Sequence, residues 1–235
     1  MRDRSELLES IEADTHLSRL LRTVGAQLTD ASPVAEAADP GHDIAHSLRV
    51  ALWAVRLGGE HVDQREAVAA ALLHDLVNLP KDSPERAEAS VRSAEVAANL
   101  LPEHGFDEAA TARVCAAIRD HSYSRGAVPA TPLGRALSDA DRLEALGALG
   151  VFRTATCGAR MGAAYLHPED PWAQGRALDD AAFTLDHFFV KLLRLEQTLH
   201  TEAGRAEARR RSDFMRRFLR QLGEEIGEPP PDGKL

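Results

Sequence analysis

Cysteine is nearly missing from this 235-residue chain: Cys115 and Cys157 are its only two. They are too few and too isolated to suggest a disulfide framework, and buried packing is the simpler account of both. Aromatic side chains make up only 5%, while Ala, Leu, Arg and Glu dominate, a balance that favours helices over strands. No stretch of about 18 apolar residues occurs and no signal-peptide pattern is present, so the protein is read as soluble, cytoplasmic and not membrane-bound. Excess positive charge is absent as well: the formal charge is −9, which disfavours non-specific binding to nucleic acid or to an anionic membrane. Only three of the 28 Lys and Arg residues are lysine, and no Walker-type glycine-lysine loop is present to cradle phosphate.

What is present is helical periodicity almost throughout. Leu7, Ile11, Leu17, Leu21, Val24 and Leu28 predict one N-terminal packing helix over 5–28, ended by a loop rich in Pro, Asp and Gly. Ile44, Leu48, Ala51 and Val55 predict a helix that stops at Gly58-Gly59. Val68, Leu72, Leu73 and Leu76 predict a third, ending at the loop that begins with Asn78. Ser83-Pro84 caps a fourth to about Leu101, a fifth runs from Asp107 to about Asp120, and Thr131-Pro132 opens a sixth. Further helices are predicted over 147–161, 180–197 and 203–225, with a flexible tail from Glu228. The arginines of the last helix read as its solvated face, opposite Phe214, Phe218 and Leu222. The expectation is an all-α helical bundle: a single domain over 1–235 with its core at about 41–200.

Three of these segments carry metal-ligand residue types: His46 in HDIAHSLRV, the adjacent His74-Asp75 in ALLHDL, and Asp141 in SDADRLEALGALG. On a helix, His74 and Asp75 point about 100° apart, so one cation lodged beside that helix can be reached by both. An aspartate inside an apolar run is costly to bury unless something positive meets it. Histidine and carboxylate together suit a divalent cation better than a soft-metal site. Asp139 faces away from Asp141 and is expected to orient a neighbour. His42 and Asp43 form a decoy pair at a helix start, where Asp43 reads as a cap-region carboxylate.

These blocks, with IRDHSYS and LDDAAFTLDHFFVKLLRL, resemble the HD superfamily of metal-dependent phosphohydrolases, and in particular its small bacterial stand-alone hydrolases. The similarity runs from about Gly41 to about Arg220. The resemblance implies an HD-type helical bundle with His46, His74, Asp75 and Asp141 as ligands of one divalent metal, Mn2+ favoured over Fe2+, Co2+, Ni2+, Zn2+ or Mg2+. It places His121 near that metal, as a substrate-phosphate contact or proton donor.

With no Walker loop, phosphate must be held by side chains. Lys81 and Lys191 are two of three lysines and both fall in motif blocks, so they are read as phosphate contacts; Arg86 is a weaker candidate near a helix start. Asp180, Thr184, His187 and Lys191 are predicted to line one polar helix face as a pocket wall, with His187 touching substrate. The resemblance implies hydrolysis of a nucleoside triphosphate to monophosphate and pyrophosphate, and the chain is read as a monomer or homodimer. The alternatives are a 5′-nucleotidase or phosphodiesterase of the same superfamily, a di-metal HD oxygenase, and a non-catalytic metal- or nucleotide-binding module. A second metal calls for further histidines such as His104; a single metal is favoured because no polar pattern surrounds that residue.

Overall fold

A computed structural model of the protein describes residues 1, 3–30, 43–77, 79, 85–122 and 125–235, without the side chains of Asp30 and Arg86. Among them the ordered elements are helical; the one β-type pairing is an isolated bridge between Ala164 and Phe183. The chain forms two compact units, Met1–Asp141 and Arg142–Leu235.

In the first unit the predicted N-terminal helix is two, α1 (Arg4–Ala13) and α2 (Thr15–Asp30). Asp14 makes the break. Its backbone is extended, its Oδ1 accepts from the amides of His16 (2.9 Å) and Leu17 (3.1 Å), and its Oδ2 meets Arg65 Nε at 2.9 Å. Local side-chain capping thus overrides a continuous apolar stripe. Helix α3 (Ile44–Gly58) starts at Asp43, whose Oδ1 accepts from the His46 amide at 2.7 Å, as its cap-region reading expected. Helix α4 (Gln64–Leu73) packs against α3 and is buried over most of its length, from Glu66 to Leu73. It stops one residue before His74, so Asp75 sits in a turn and not on the helix that the spacing predicts.

Helices α5 (Ala89–Glu103) and α6 (Glu108–Asp120) pack on one another, joined through Gly105 at φ +71°. The predicted Ser83-Pro84 cap of α5 lies outside the described residues; a 3₁₀ turn over Arg86–Glu88 leads into the helix. Asp107 caps α6 through Ala110 N at 2.7 Å. Helix α7 (Pro132–Leu143) opens with Thr131 Oγ1 accepting from Gly134 N at 3.0 Å.

In the second unit, α8 (Gly147–Met161) packs on α10 (Glu202–Ile226). The buried stripe of α10 is Ala208, Ser212, Met215, Leu219 and Gly223, whereas Phe214 is 38% exposed. The helix predicted over 180–197 begins only at Asp186, runs through a π-turn (Phe188–Leu192) and ends in α9 (Leu193–Leu195) and a 3₁₀ turn. What displaces its first turns is Asp186, which is fully buried, accepts two hydrogen bonds from Arg176 and one from Asp179 N at 2.7 Å, and ties the preceding loop down. Asp180 and Thr184 therefore do not share a helix face with His187 and Lys191, and the predicted polar wall does not form as a stripe. Thr184 is buried against Gly158, where an added Cβ would come within 2.2 Å of its Oγ1.

The tail expected to be flexible is packed. Trp172 Nε1 donates to Glu228 O at 2.7 Å, and Lys234 Nζ lies 4.8 Å from the Phe189 ring centroid. Gly223 lacks the Cβ that would meet Pro230 Cδ at 2.6 Å, which lets the tail turn back beside α10.

Candidate metal centre

The centre lies in the first unit, where three helix termini bring imidazoles together. His46 is in the first turn of α3, His74 follows the last residue of α4, and His121 follows the last residue of α6. His74 and His121 are built alike. Each Nδ1 lies against the carbonyl three residues back, Ala71 O at 2.7 Å and Ile118 O at 2.6 Å. A carbonyl only accepts, so each Nδ1 carries the proton and each Nε2 is left as a bare lone pair. The same bonds satisfy carbonyls that a helix C-terminus would otherwise leave unpaired. Ser138 of α7 donates to His121 O at 2.9 Å, fixing the α6 terminus against α7.

The lone pairs converge. His46 Nε2 and His74 Nε2 are 3.2 Å apart, and the His74 ring centroid is 5.2 Å from that of His46 and 5.1 Å from that of His121. Asp75 faces two of the rings, Oδ2 at 3.5 Å from His74 Nε2 and Oδ1 at 3.7 Å from His121 Nε2. Asp141 Oδ1 lies 3.7 Å from His46 Nε2 and 3.9 Å from His74 Nε2. One ligand atom from each of His46, His74 and Asp75 can be chosen within 4.8 Å of the others. Nitrogen and oxygen ligands about 2.0–2.2 Å from a single ion stand at such spacings from one another. A ring of acceptors this close is repulsive until something positive enters it, so the donor set fits a divalent cation.

The imidazoles form a buried floor, with His46, His74 and His121 at 1%, 0% and 3% exposure, while the Asp75 and Asp141 side chains keep 25% and 29%. Burial drives the His74 pKa down to about 4 against the pull of Asp75, leaving a neutral ligand at neutral pH. For His121 burial acts downward too, but the Asp75 carboxylate outweighs it and the pKa is raised. Burial disfavours the Asp141 carboxylate, yet the surrounding imidazoles, His74 foremost, hold its pKa below the ordinary value.

Of the residues singled out in the sequence, the structure brings together His46, His74, Asp75, Asp141 and His121. Lys81 lies outside the described residues, as does the Arg86 side chain. His187 and Lys191 belong to the second unit, where His187 Nδ1 pairs with Asp180 Oδ2 at 2.8 Å and Lys191 is exposed on the π-turn. His104 is buried with Nδ1 on Leu100 O at 2.8 Å and Nε2 3.3 Å from Thr23 Oγ1, so one ring nitrogen closes the α5 terminus and the other meets α2. Sequence reasoning missed the Arg176–Asp186 pair. An aspartate two residues before the apolar FFV run was its only signal.

An HD domain model matches residues 43–146, the segment that holds all five converging residues. The uncharacterized protein YpgQ of Bacillus subtilis is 35% identical over 192 residues, covering 79% of this chain and 85% of that protein. The crystal structure of Bacillus subtilis YpgQ in complex with ADP is similar at a TM-score of 0.65 and 29% identity, over 88% of this chain and 93% of that one. An HD-superfamily hydrolase from Bacillus thuringiensis is similar at a TM-score of 0.61 and 27% identity, over 88% and 98% of the two chains. With the family model spanning the segment that builds the His/Asp centre, and a relative and an HD-superfamily hydrolase structure each covering most of the chain, the chain belongs to the HD superfamily of metal-dependent phosphohydrolases.

Proposed function

We propose that the protein is a Mn2+-dependent nucleotide pyrophosphohydrolase that converts nucleoside triphosphates to the monophosphate and pyrophosphate. The observation that carries this reading is the cluster of inward-facing acceptors, in which His46 Nε2 and His74 Nε2 lie 3.2 Å apart, Asp75 lies 3.5 Å from His74, and Asp141 lies 3.7 Å from His46 and 3.9 Å from His74. These four residues would hold a single cation. A nucleotide substrate is supported by the ADP complex of YpgQ, a relative that covers most of this chain.

When bound, the cation supplies Lewis acidity to a phosphoryl oxygen and to water. The water oxygen bonds to the α-phosphorus, the bond from that phosphorus to the α–β bridging oxygen breaks, and pyrophosphate leaves with that oxygen. His121 Nε2 takes the proton that water gives up and returns it to the departing pyrophosphate. Asp75 Oδ1, 3.7 Å from that nitrogen, stabilises the imidazolium in between. The remaining negative charge calls for cationic side chains. Lys81 and Lys191 are the proposed partners, with Arg86 and His187 as lesser contacts.

The test is a screen of the Mn-loaded protein against nucleoside mono-, di- and triphosphates, with phosphate and pyrophosphate measured separately. Triphosphates are expected to yield monophosphate and pyrophosphate with little free phosphate. Orthophosphate from monophosphates alone, with triphosphates intact, moves the assignment to a 5′-nucleotidase.

A further inference from the structure

The buried face of α5 reads Ser90, Ser93, Ala94, Ala97 and Leu101. Alanine suits such a face in a helix interior better than serine does, and a hydroxyl taken out of water needs a partner. The local partner inside a helix is the carbonyl four residues back, which Thr23, Thr29 and Thr156 all use. The two serines, three residues apart and so on one side of α5, reach other elements instead. Ser93, fully buried, accepts from the amide of Val77 at 3.1 Å. Ser90 donates to Arg119 O at 3.0 Å, a carbonyl it shares with Arg125.

The Ser93 bond falls beside the one ligand that lies past both a helix and its cap. His46 and Asp141 are within α3 and α7, and His74, the cap of α4, is tied through Nδ1 to Ala71 O. Asp75 sits in the turn that follows, so the path of that turn aims its carboxylate. Within the turn, Leu76 N reaches Leu73 O at 3.4 Å, long for an N–H···O bond. Val77, two residues after Asp75, is pinned across to α5. We infer that Ser93 is a positioning residue for the metal centre. Its hydroxyl, without touching the cation, holds the turn so that Asp75 stands 3.5 Å from His74 Nε2 and 3.7 Å from His121 Nε2. This rests on the reading given under Proposed function, in which Asp75 is a metal ligand, and adds what aims it.

The experiment is calorimetric titration of the metal-free full chain with Mn2+ for the wild type, Ser93→Ala, Ser90→Ala and Asp75→Ala, with melting temperatures alongside. Each serine variant loses one buried hydroxyl and one bond between elements, so Ser90→Ala is the matched control for stability. Positioning predicts that Ser93→Ala weakens Mn2+ binding by roughly ten- to a hundredfold, the range for lost support of a metal ligand, while Ser90→Ala binds as the wild type does. Equal losses in the two serine variants would reduce Ser93 to packing. Wild-type affinity in Ser93→Ala, where Asp75→Ala has lost the metal, would do the same; either result overturns this inference alone. Full affinity in Asp75→Ala removes the ligand reading and this inference with it. Hydrogen exchange at the Val77 amide of the wild type needs no variant. It should be slow in the metal-free protein and slower still with Mn2+ bound; exchange at the rate of an open amide, unchanged by Mn2+, overturns the proposal.

Discussion

His46 and His74 face each other nitrogen to nitrogen, Nε2 to Nε2 at 3.2 Å, and the proton on His74 is already committed to Ala71 O on the far side of its ring. Two unprotonated imidazole nitrogens cannot rest at that separation; a proton or a cation must lie between them. This contact makes a helix-end arrangement a place where a cation can replace the proton shared by two imidazoles.

Removing one member should therefore empty the centre. His74→Ala and Asp75→Ala are expected to lower metal affinity by on the order of a hundredfold or more and to abolish hydrolysis, with helical content kept. Metal analysis after dialysis, alongside circular dichroism, checks this. Full metal content and activity in Asp75→Ala would mean that Asp75 is not a ligand.

The metal-free protein should lose stability in mild acid. With the folded pKa of His74 near 4 and an unfolded value of 6.5, the native state binds fewer protons than the unfolded state between these limits. Stability is then full above pH 6.5 and is lost as pH falls toward 4, by at most roughly 3 kcal/mol. His121, with its pKa raised, acts in the opposite sense: its contribution is full below 6.5 and is lost as pH rises through the folded value. Thermal melts of the apo-protein between pH 4.5 and 8 should show an acid-side slope that His74→Gln flattens and a loss above pH 6.5 that His121→Gln removes.

Lys191→Ala should weaken substrate use while leaving metal content intact, since its proposed partner is phosphate. Loss of a charge-assisted hydrogen bond of about 1.5–3 kcal/mol corresponds to a KM raised by roughly ten- to a hundredfold. Lys81→Ala should behave alike. Metal-replete variants with wild-type kinetics would return both lysines to the solvated surface.

Asp14→Ala should loosen the α1–α2 corner, because it removes the cap on His16 and Leu17 and the partner of Arg65. Loss of the cap alone costs about 1 kcal/mol. Burial raises the Asp14 pKa, but the two backbone bonds and Arg65 outweigh it and the net shift is downward. This contribution is thus present above the unfolded carboxylate pKa and is lost in stronger acid. Denaturant unfolding of the variant at neutral pH measures the cost, and metal content should stay at the wild-type level.

Deleting residues 228–235 leaves the Trp172 indole N–H without Glu228 O and uncovers Phe189. An unsatisfied buried donor costs about 1–3 kcal/mol. A lowered melting temperature with a red-shifted Trp172 emission is the expected outcome; unchanged emission would show that the tail contributes nothing to that packing.

The sequence by itself determined the helical class, the helix starts at Asp43, Asp107 and Thr131, and the candidates His46, His74, Asp75 and Asp141, with His121 added by the family resemblance, because periodicity, capping chemistry and motif order are local properties of the chain. It did not determine where helices yield to tertiary demands. The break at Asp14 joins a local cap on His16 and Leu17 to an ion pair with Arg65, about fifty residues away, and only the second of these is a tertiary contact. The late start of the 180–197 helix depends on Arg176 holding Asp186 in a buried pair, which no helical period encodes. The packed tail depends on Trp172 and on the missing Cβ of Gly223. Above all, sequence order supplied the ligand types, whereas the packing of α3, α4, α6 and α7 decided their relation: imidazole nitrogens facing inward, the outer protons of His74 and His121 tied to helix-end carbonyls, and two carboxylates at the partly exposed rim.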